Sequence, residues 1–256
     1  IILMATEERL DLTVVISHYR QPQLLERAIR SILLQQPLPK QIVVVDDHSP
    51  RPPNLERWQT NPFLTLTLLR TPNCSGGPAT PRNLGIAAAR GRHVAFLDAD
   101  DAWLPGTTAA MAAVWAETPE VLVHGDQLVW GPQRLEPFLQ RGLPSQNSAA
   151  ATHRALIKGG NRIFLSTVAA PRAVLANSPF DPTQRWEDFD LWLRLAKDGL
   201  CFRHTAAVHT LYRLSPGSRS ASRLARQQGT QQLLHNHLKG VPPWRWPRWF
   251  WRNLIS

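Results

Sequence analysis

Two short runs, Leu12–Ser17 (LTVVIS) and Gln41–Asp47 (QIVVVDD), restrict the folds open to this chain more than any other feature. Both are nearly unbroken in β-branched residues, the pattern of strands covered on both faces. Between them Pro22 suits a first helical turn, and Leu25, Ala28, Ile29 and Ile32 recur at i, i+3, i+4 and i+7. Pro37 stops the helix. Strand, helix and strand in this order give a parallel pair with a right-handed crossover.

The alternation continues through the first hundred residues. Leu64–Arg70 (LTLTLLR) reads as a third strand, a Gly/Pro turn leads from NCSGGPATPRNLGIAAARG into a helix ending near Arg90, and HVAFLD (His93–Asp98) is a fourth strand. The chain is therefore expected to build an open α/β sheet. Beyond it the spacing predicts a helix over Pro105–Trp115, a short strand over Val121–His124 and a long loop or lid over Trp130–Asn147. Asn161–Ala170 is strand-like, and Ala207–Leu214 (AVHTLYRL) is a final strand. WEDFDLWLRLAKDG predicts a helix with Phe189, Trp192, Leu193 and Ala196 as its apolar stripe and Gly199 as its stop.

In open α/β sheets ligands collect at the carboxyl ends of strands. Three polar clusters fall there: Ser17-His18-Tyr19, Asp46-Asp47-His48-Ser49 and Asp98-Ala99-Asp100-Asp101. Each alone is a polar turn after a strand; three in one alternating unit point to a shared pocket. Three carboxylates within four residues repel one another and resist desolvation, so something must compensate them. A hard divalent cation, Mg²⁺ or Mn²⁺, suits clustered oxygen ligands and commonly bridges to substrate phosphates. Further along, WEDFD places Glu187, Asp188 and Asp190 in a first helical turn. Acids there complement the helix dipole, and a carboxylate buried beside Trp186 and Phe189 also suits a general base; the sequence alone leaves both readings open.

At 256 residues the chain suits one sizeable domain with an appendage. No apolar run reaches 18 residues, so no transmembrane helix is expected, and the opening IILMATEERL is a poor signal peptide. Cys74 and Cys201 are too few for a disulfide framework or a cysteine metal site, and a reducing cytoplasm is the expectation. The net charge of +10 is unevenly spread: from Gly199 onward there are nine Lys or Arg and no acid, leaving 20 basic against 19 acidic residues before it. The basicity belongs to the C-terminal part rather than to the candidate site.

Taken together, LTVVISHYRQPQLLERAIRSILLQ, QIVVVDDHSP, GGPATPRNLGIAAARGRHVAFLDADDAWLPG and FDPTQRWEDFDLWLRLAKDG resemble, in order, the family 2 glycosyltransferases, the large inverting group with a GT-A fold. The resemblance implies a single Rossmann-like open mixed sheet flanked by helices over 11–214, an N-terminal segment over 1–10 and a basic, aromatic, helical C-terminal extension over 215–256. It further implies a nucleotide-sugar donor, most simply a UDP-sugar, a divalent cation (Mn²⁺ or Mg²⁺), and a glycan or lipid-linked acceptor in polysaccharide or glycoconjugate synthesis. Carried over residue by residue, Ser17, Tyr19 and Asp47 would line the base pocket, with Arg82 and Asn83 bordering it. Asp98 would face the ribose side, and Asp100 would hold the metal, with Asp98 and Asp101 sharing or supporting ligation. Asp188 would deprotonate the acceptor hydroxyl and Glu187 would orient the acceptor. Many relatives have His where this chain has Ser215, leaving His209 or Arg213 as substitutes or the metal more weakly held, and Arg20 stands where Asn is more usual.

The tail PPWRWPRWFWRNLIS (242–256) interleaves Trp244, Trp246, Trp249, Phe250 and Trp251 with Arg245, Arg248 and Arg252. That mix suits a membrane interface, in keeping with peripheral attachment at the inner face of a membrane; the rings would alternatively pack back onto the domain. No nucleic-acid partner is expected. The functional alternative is a non-catalytic nucleotide-sugar or glycan-binding protein on the same fold, against which the retained carboxylates argue.

Overall fold

The computed structural model describes residues 9–59, 64–131, 136–214, 223–248 and 251. The first half runs β1 (Leu10–His18), α1 (Pro22–Leu33), β2 (Pro39–Asp46), α2 (Glu56–Gln59), β3 (Thr65–Arg70), α3 (Ala79–Ala88) and β4 (His93–Asp98). The second half runs β5 (Ala102–Trp103), α4 (Thr107–Glu117), β6 (Leu122–Trp130), β7 (Phe138–Gln140), α5 (Ala149–Gly159), β8 (Ala169–Pro171), α6 (Arg172–Asn177), α7 (Glu187–Lys197), β9 (Phe202–Arg213) and α8 (Arg223–His237).

These strands form one mixed sheet in the order β3-β2-β1-β4-β8-β6-β9-β5, with β7 paired to β6. β3, β2, β1 and β4 are mutually parallel, and β8 then joins β4 antiparallel. The unbroken apolar runs are explained by the period of two along a strand. Val15, Val43, Val45 and Phe96 face one layer, packed with α3 and α7; Val14, Ile16, Ile42, Val44 and Leu97 face the other, packed with α1 and α4. α3 lies tight on β1: a Cβ at Gly85 would sit 2.3 Å from Val15 Cγ1, so only glycine permits this approach. One turn earlier on the same helix, Arg82 is carried to the strand ends.

The parallel half matches the sequence expectation closely, and the second half departs from it. The strand expected to stop at His124 continues to Trp130, because β9 pairs with it in parallel along its length, with register shifts around Asp126. Asp126, the residue that breaks the apolar pattern, is satisfied by Gly142 N–H and the His204 ring. The strand expected over Asn161–Ala170 is largely absent: Leu165–Thr167 forms a 3₁₀ turn and only Ala169–Pro171 pairs. Side-chain bonds compete with the ladder there, Thr167 Oγ1 donating to Phe164 O and Ser166 Oγ donating to Asp101. Within the expected lid, β7 forms a short ladder with β6, while residues 132–135 lie outside the described residues. α7 buries Leu191 and Leu195 in addition to its expected stripe, with Leu156 of α5 and Leu233 of α8 in the same core. Gly199, at φ +99°, ends the helical segment as expected.

Candidate active site

The carboxyl ends of β1, β2 and β4 open onto a cleft of about 950 Å³. It gathers residues from all three polar clusters, together with Arg82, Glu187 and Asp188 from far along the chain. Of the expected site residues, Ser17, Tyr19, Asp47, Arg82, Asp98, Asp100, Asp101, Glu187 and Asp188 line it. Asn83 is not among the lining residues. Its amide donates to Phe180 O and accepts from Phe180 N, so it pins the ring over which the Arg82 guanidinium sits at 5.4 Å.

One wall is held by buried polar pairs. His18 Nε2 accepts from Gln21 N–H, so Nδ1 carries the proton and donates to Asp46 Oδ1 at 3.0 Å. Burial lowers the His18 pKa despite the opposing pull of Asp46, so the ring is neutral. Asp47 accepts from Thr71 Oγ1, Ser75 N–H and Ser75 Oγ, tying down the loop that carries Gly76 and Gly77 along the cleft. Tyr19 is half exposed above it, with the Arg20 guanidinium 4.8 Å from its ring centroid. Arg20 sits at φ +57°, a left-handed position that Asn adopts more readily than most residues, and its N–H is taken by Ser49 Oγ.

The three aspartates after β4 have different surroundings. Asp101 is buried, accepting from Ser166 Oγ at 2.6 Å and from Arg213 N–H at 3.0 Å. Burial, and then the neighbouring Asp98, push its carboxyl well above the usual range. Asp98 is partly exposed, and its Oδ1 accepts from Arg82 Nη2 at 2.8 Å. Asp100 is half-buried and lines the cleft.

Arg82 joins this cluster to the start of α7. Its Nη1 donates to Glu187 Oε1 at 2.6 Å, so one buried guanidinium bridges Asp98 and Glu187, 89 residues apart in sequence by their numbering. Burial alone would lower the Arg82 pKa; Asp98 and Glu187 more than reverse that and hold it above its ordinary value. Next to it, Asp188 accepts from Asn161 Nδ2 and from Phe189 N–H. Burial and then the Glu187 charge raise its pKa, Arg82 and the two hydrogen bonds oppose them, and it is pushed up to about 6. The sequence offered helix-dipole complementation and general-base character for these acids; a cleft-lining carboxylate poised near neutrality has the properties of the latter.

Among the described residues no group of three or more His, Cys, Asp or Glu side chains is arranged to hold a metal ion. Both oxygens of Asp101 are already bonded, and one of Asp98 faces Arg82. A cation here would draw on Asp100 and the second oxygen of Asp98 together with substrate phosphate, a donor set that suits Mg²⁺ or Mn²⁺. His209 does not substitute for the family His: it is fully buried, bonded to Thr205 and Thr167, outside the cleft, and burial lowers its pKa to about 4. Arg213 does line the cleft, and Ser215 lies outside the described residues.

Several residues at the site carried no sequence signal. Asn161 and Ser166 belong to a segment that resembled a strand, yet they orient Asp188 and Asp101. Arg185 also lines the cleft, held there by α8 through bonds to Gln228 and Gln232.

Residues 13–170 match the family model described as "Glycosyl transferase family 2". The chain is 28% identical over 221 residues to UDP-Glc:alpha-D-GlcNAc-diphosphoundecaprenol beta-1,3-glucosyltransferase WfaP of Escherichia coli, covering 82% of this chain and 80% of that one. Among solved structures it resembles S. aureus TarS 1-349 in complex with UDP-GlcNAc, with a TM-score of 0.66 at 18% identity over 87% of this chain and 66% of that one. It also resembles the mannosyltransferase PcManGT of Pyrobaculum calidifontis in complex with GDP-Man and Mn²⁺, with a TM-score of 0.65 at 21% identity, covering 90% of this chain and 65% of that one. The chain thus spans about two thirds of these solved chains, and at such identities the likeness concerns the fold, which is GT-A. Because the family match extends over more than half of the residues and includes β1 through the acidic cluster, the chain belongs to glycosyl transferase family 2 and is a glycosyltransferase.

Proposed function

We propose that the protein is an inverting, metal-assisted glycosyltransferase that moves a sugar from a UDP-sugar to a hydroxyl of a lipid-diphosphate-linked glycan, with Asp188 as general base. One observation carries this reading: Asp98-Ala99-Asp100 and Glu187-Asp188, distant in sequence, face one cleft and are coupled through Arg82.

Each part of the cleft has a task in that reaction. Ser17, Tyr19 and the Asp47-braced loop form the wall for the nucleotide base, and Asp98 faces the ribose. Asp100, helped by Asp98, would hold Mg²⁺ or Mn²⁺, which when bound supplies Lewis-acid stabilisation of the departing diphosphate. Asp101 acts indirectly, fixing Ser166 and the Arg213 backbone around the same turn. Asp188 takes the proton from the acceptor hydroxyl as it attacks the anomeric carbon from the face opposite the leaving group, so a single displacement inverts that centre. Glu187, held by Arg82, keeps the base's neighbourhood negative and raises its basicity.

The lipid-linked acceptor draws on WfaP, named for a diphosphoundecaprenol acceptor. Among the described residues no helix is long and apolar enough to cross a membrane. Trp244 is 83% exposed, and Trp246 stacks on Trp251 with centroids 5.3 Å apart. An exposed indole beside basic residues suits peripheral contact with anionic lipid. Residues 249–250 and 252–256 of that tail lie outside the described residues.

A thermal-shift panel of nucleotide sugars with and without Mn²⁺ tests the reading, since a ligand of the folded state raises its stability as ln(1 + [L]/Kd). A UDP-sugar should stand out, more strongly with the cation. No shift from any nucleotide sugar would overturn the proposal. Liposome co-sedimentation with and without residues 242–256 tests the membrane contact, which equal partitioning would sink.

A further inference from the structure

Two arginines that line the cleft differ sharply in how their charge is used. Arg82 is neutralised by Asp98 and Glu187. Arg185 has no acidic partner among the described residues; instead its Nε and Nη2 both donate to Gln228 Oε1, at 3.0 and 2.8 Å. Its backbone N–H is held by Gln232 Oε1 at 2.7 Å, and Gln232 Nε2 donates in turn to Thr183 O. A guanidinium has five N–H donors, so three remain after the two to Gln228. A neutral amide that orients a guanidinium leaves its full charge for a ligand.

The helix that supplies the amide is seated for that purpose. Gly229 is buried against Trp186, and a Cβ there would lie 2.9 Å from the indole atoms. The close approach accompanies the contact of Gln228 with Arg185, and Arg185, Trp186, Glu187 and Asp188 all line the same cleft. A forked donor fixed at a cleft rim matches a phosphate or diphosphate. The donor diphosphate is expected beside Asp100, on the turn after β4, an element separate from the segment that carries Arg185. Arg185 lies three residues before the base, on the segment that must meet the acceptor.

We propose that Arg185 is a specificity-determining residue that binds the diphosphate of the acceptor, and that Gln228 of α8 is its positioning residue. This rests on the acceptor being lipid-diphosphate-linked, as proposed above.

The test uses the full chain saturated with UDP, so that the donor site is filled. Two probes are titrated calorimetrically: N-acetylglucosamine joined through a diphosphate to a short alkyl chain, and the corresponding alkyl glycoside without phosphate. The parent should prefer the diphosphate probe by at least tenfold. R185A should weaken that probe roughly ten- to hundredfold, as loss of charge-assisted hydrogen bonds implies, and far more than it weakens the glycoside. Q228A should weaken the same probe severalfold, and in transfer assays both variants should raise the acceptor KM more than they lower kcat, without raising the donor KM. Absence of the parent's preference, equal losses on both probes, or a rise confined to the donor KM would each overturn the inference. An active enzyme whose R185A variant keeps its diphosphate preference refutes this assignment alone, whereas absence of nucleotide-sugar binding in the parent refutes the function beneath it.

Discussion

Replacing Arg82 with Met is the most informative single perturbation, because it removes the cation that joins the two acidic motifs. The Arg82 and Glu187 side chains are 5% and 7% exposed, so R82M takes from a buried carboxylate the guanidinium that faces it at 2.6 Å. Breaking a buried pair in this way costs about 3–5 kcal/mol. Asp98 is 32% exposed and its share is screened, adding about 0–1 kcal/mol. Near 4 kcal/mol in a chain of this size corresponds to a fall in Tm of roughly 8–16 °C. The loss should depend on pH. Without Arg82, which lowers the pKa of Asp188, that pKa rises above its value of about 6. A carboxyl whose folded pKa lies above its unfolded value destabilises the fold when ionised, so the deficit is full above the folded pKa and shrinks as pH falls through it. Thermal melts of the parent, R82M and R82M/E187Q at pH 5 and pH 8 read this directly. The double variant, which also removes the Glu187 charge, should recover most of the stability and little of the activity. If R82M melts within about 2 °C of the parent at pH 8, or melts equally far below it at both pH values, the bridge does not hold the site as described.

Other predictions follow from individual groups. Transfer by the parent should rise with pH around a midpoint near 6, where Asp188 loses its proton, and D188N should lower kcat by roughly 10²–10⁴ while keeping the donor-induced thermal shift; unchanged turnover would exclude Asp188 as the base. D100A should abolish the extra stabilisation that Mn²⁺ adds to donor binding, whereas an undiminished Mn²⁺ effect would take Asp100 out of the metal site. S166A removes the 2.6 Å hydrogen bond to buried Asp101 and should cost about 1–3 kcal/mol, measurable by urea unfolding; a cost near zero would mean that Asp101 is satisfied without it.

What the linear chain shows of this protein depends on how local the interactions are. The runs at Val14–Ile16 and Ile42–Val45 need both faces covered, and Leu25, Ala28, Ile29 and Ile32 repeat within one helix, so the parallel half and its ligand-bearing end are determined over a few residues each. The acidic cluster was conspicuous for the same reason: its carboxylates are neighbours in sequence. The second half depends on pairing between distant segments. β6 runs past Asp126 because β9 lies beside it, and residues 161–170 stay irregular because Ser166 and Thr167 bond elsewhere. The division of labour within the site is likewise tertiary. Asp98, Asp100 and Asp101 are nearly indistinguishable as letters, and only Arg82, Ser166 and the Arg213 backbone separate them into an ion-paired, a cleft-facing and an anchoring carboxylate. The sequence by itself determined the parallel half of the sheet and the location of its ligand end, since strand and helix periodicity are short-range properties. Only the fold decided which carboxylates are neutralised, which is poised near neutrality and which arginine keeps its charge, because burial and electrostatic partners are set by segments that meet across a hundred residues.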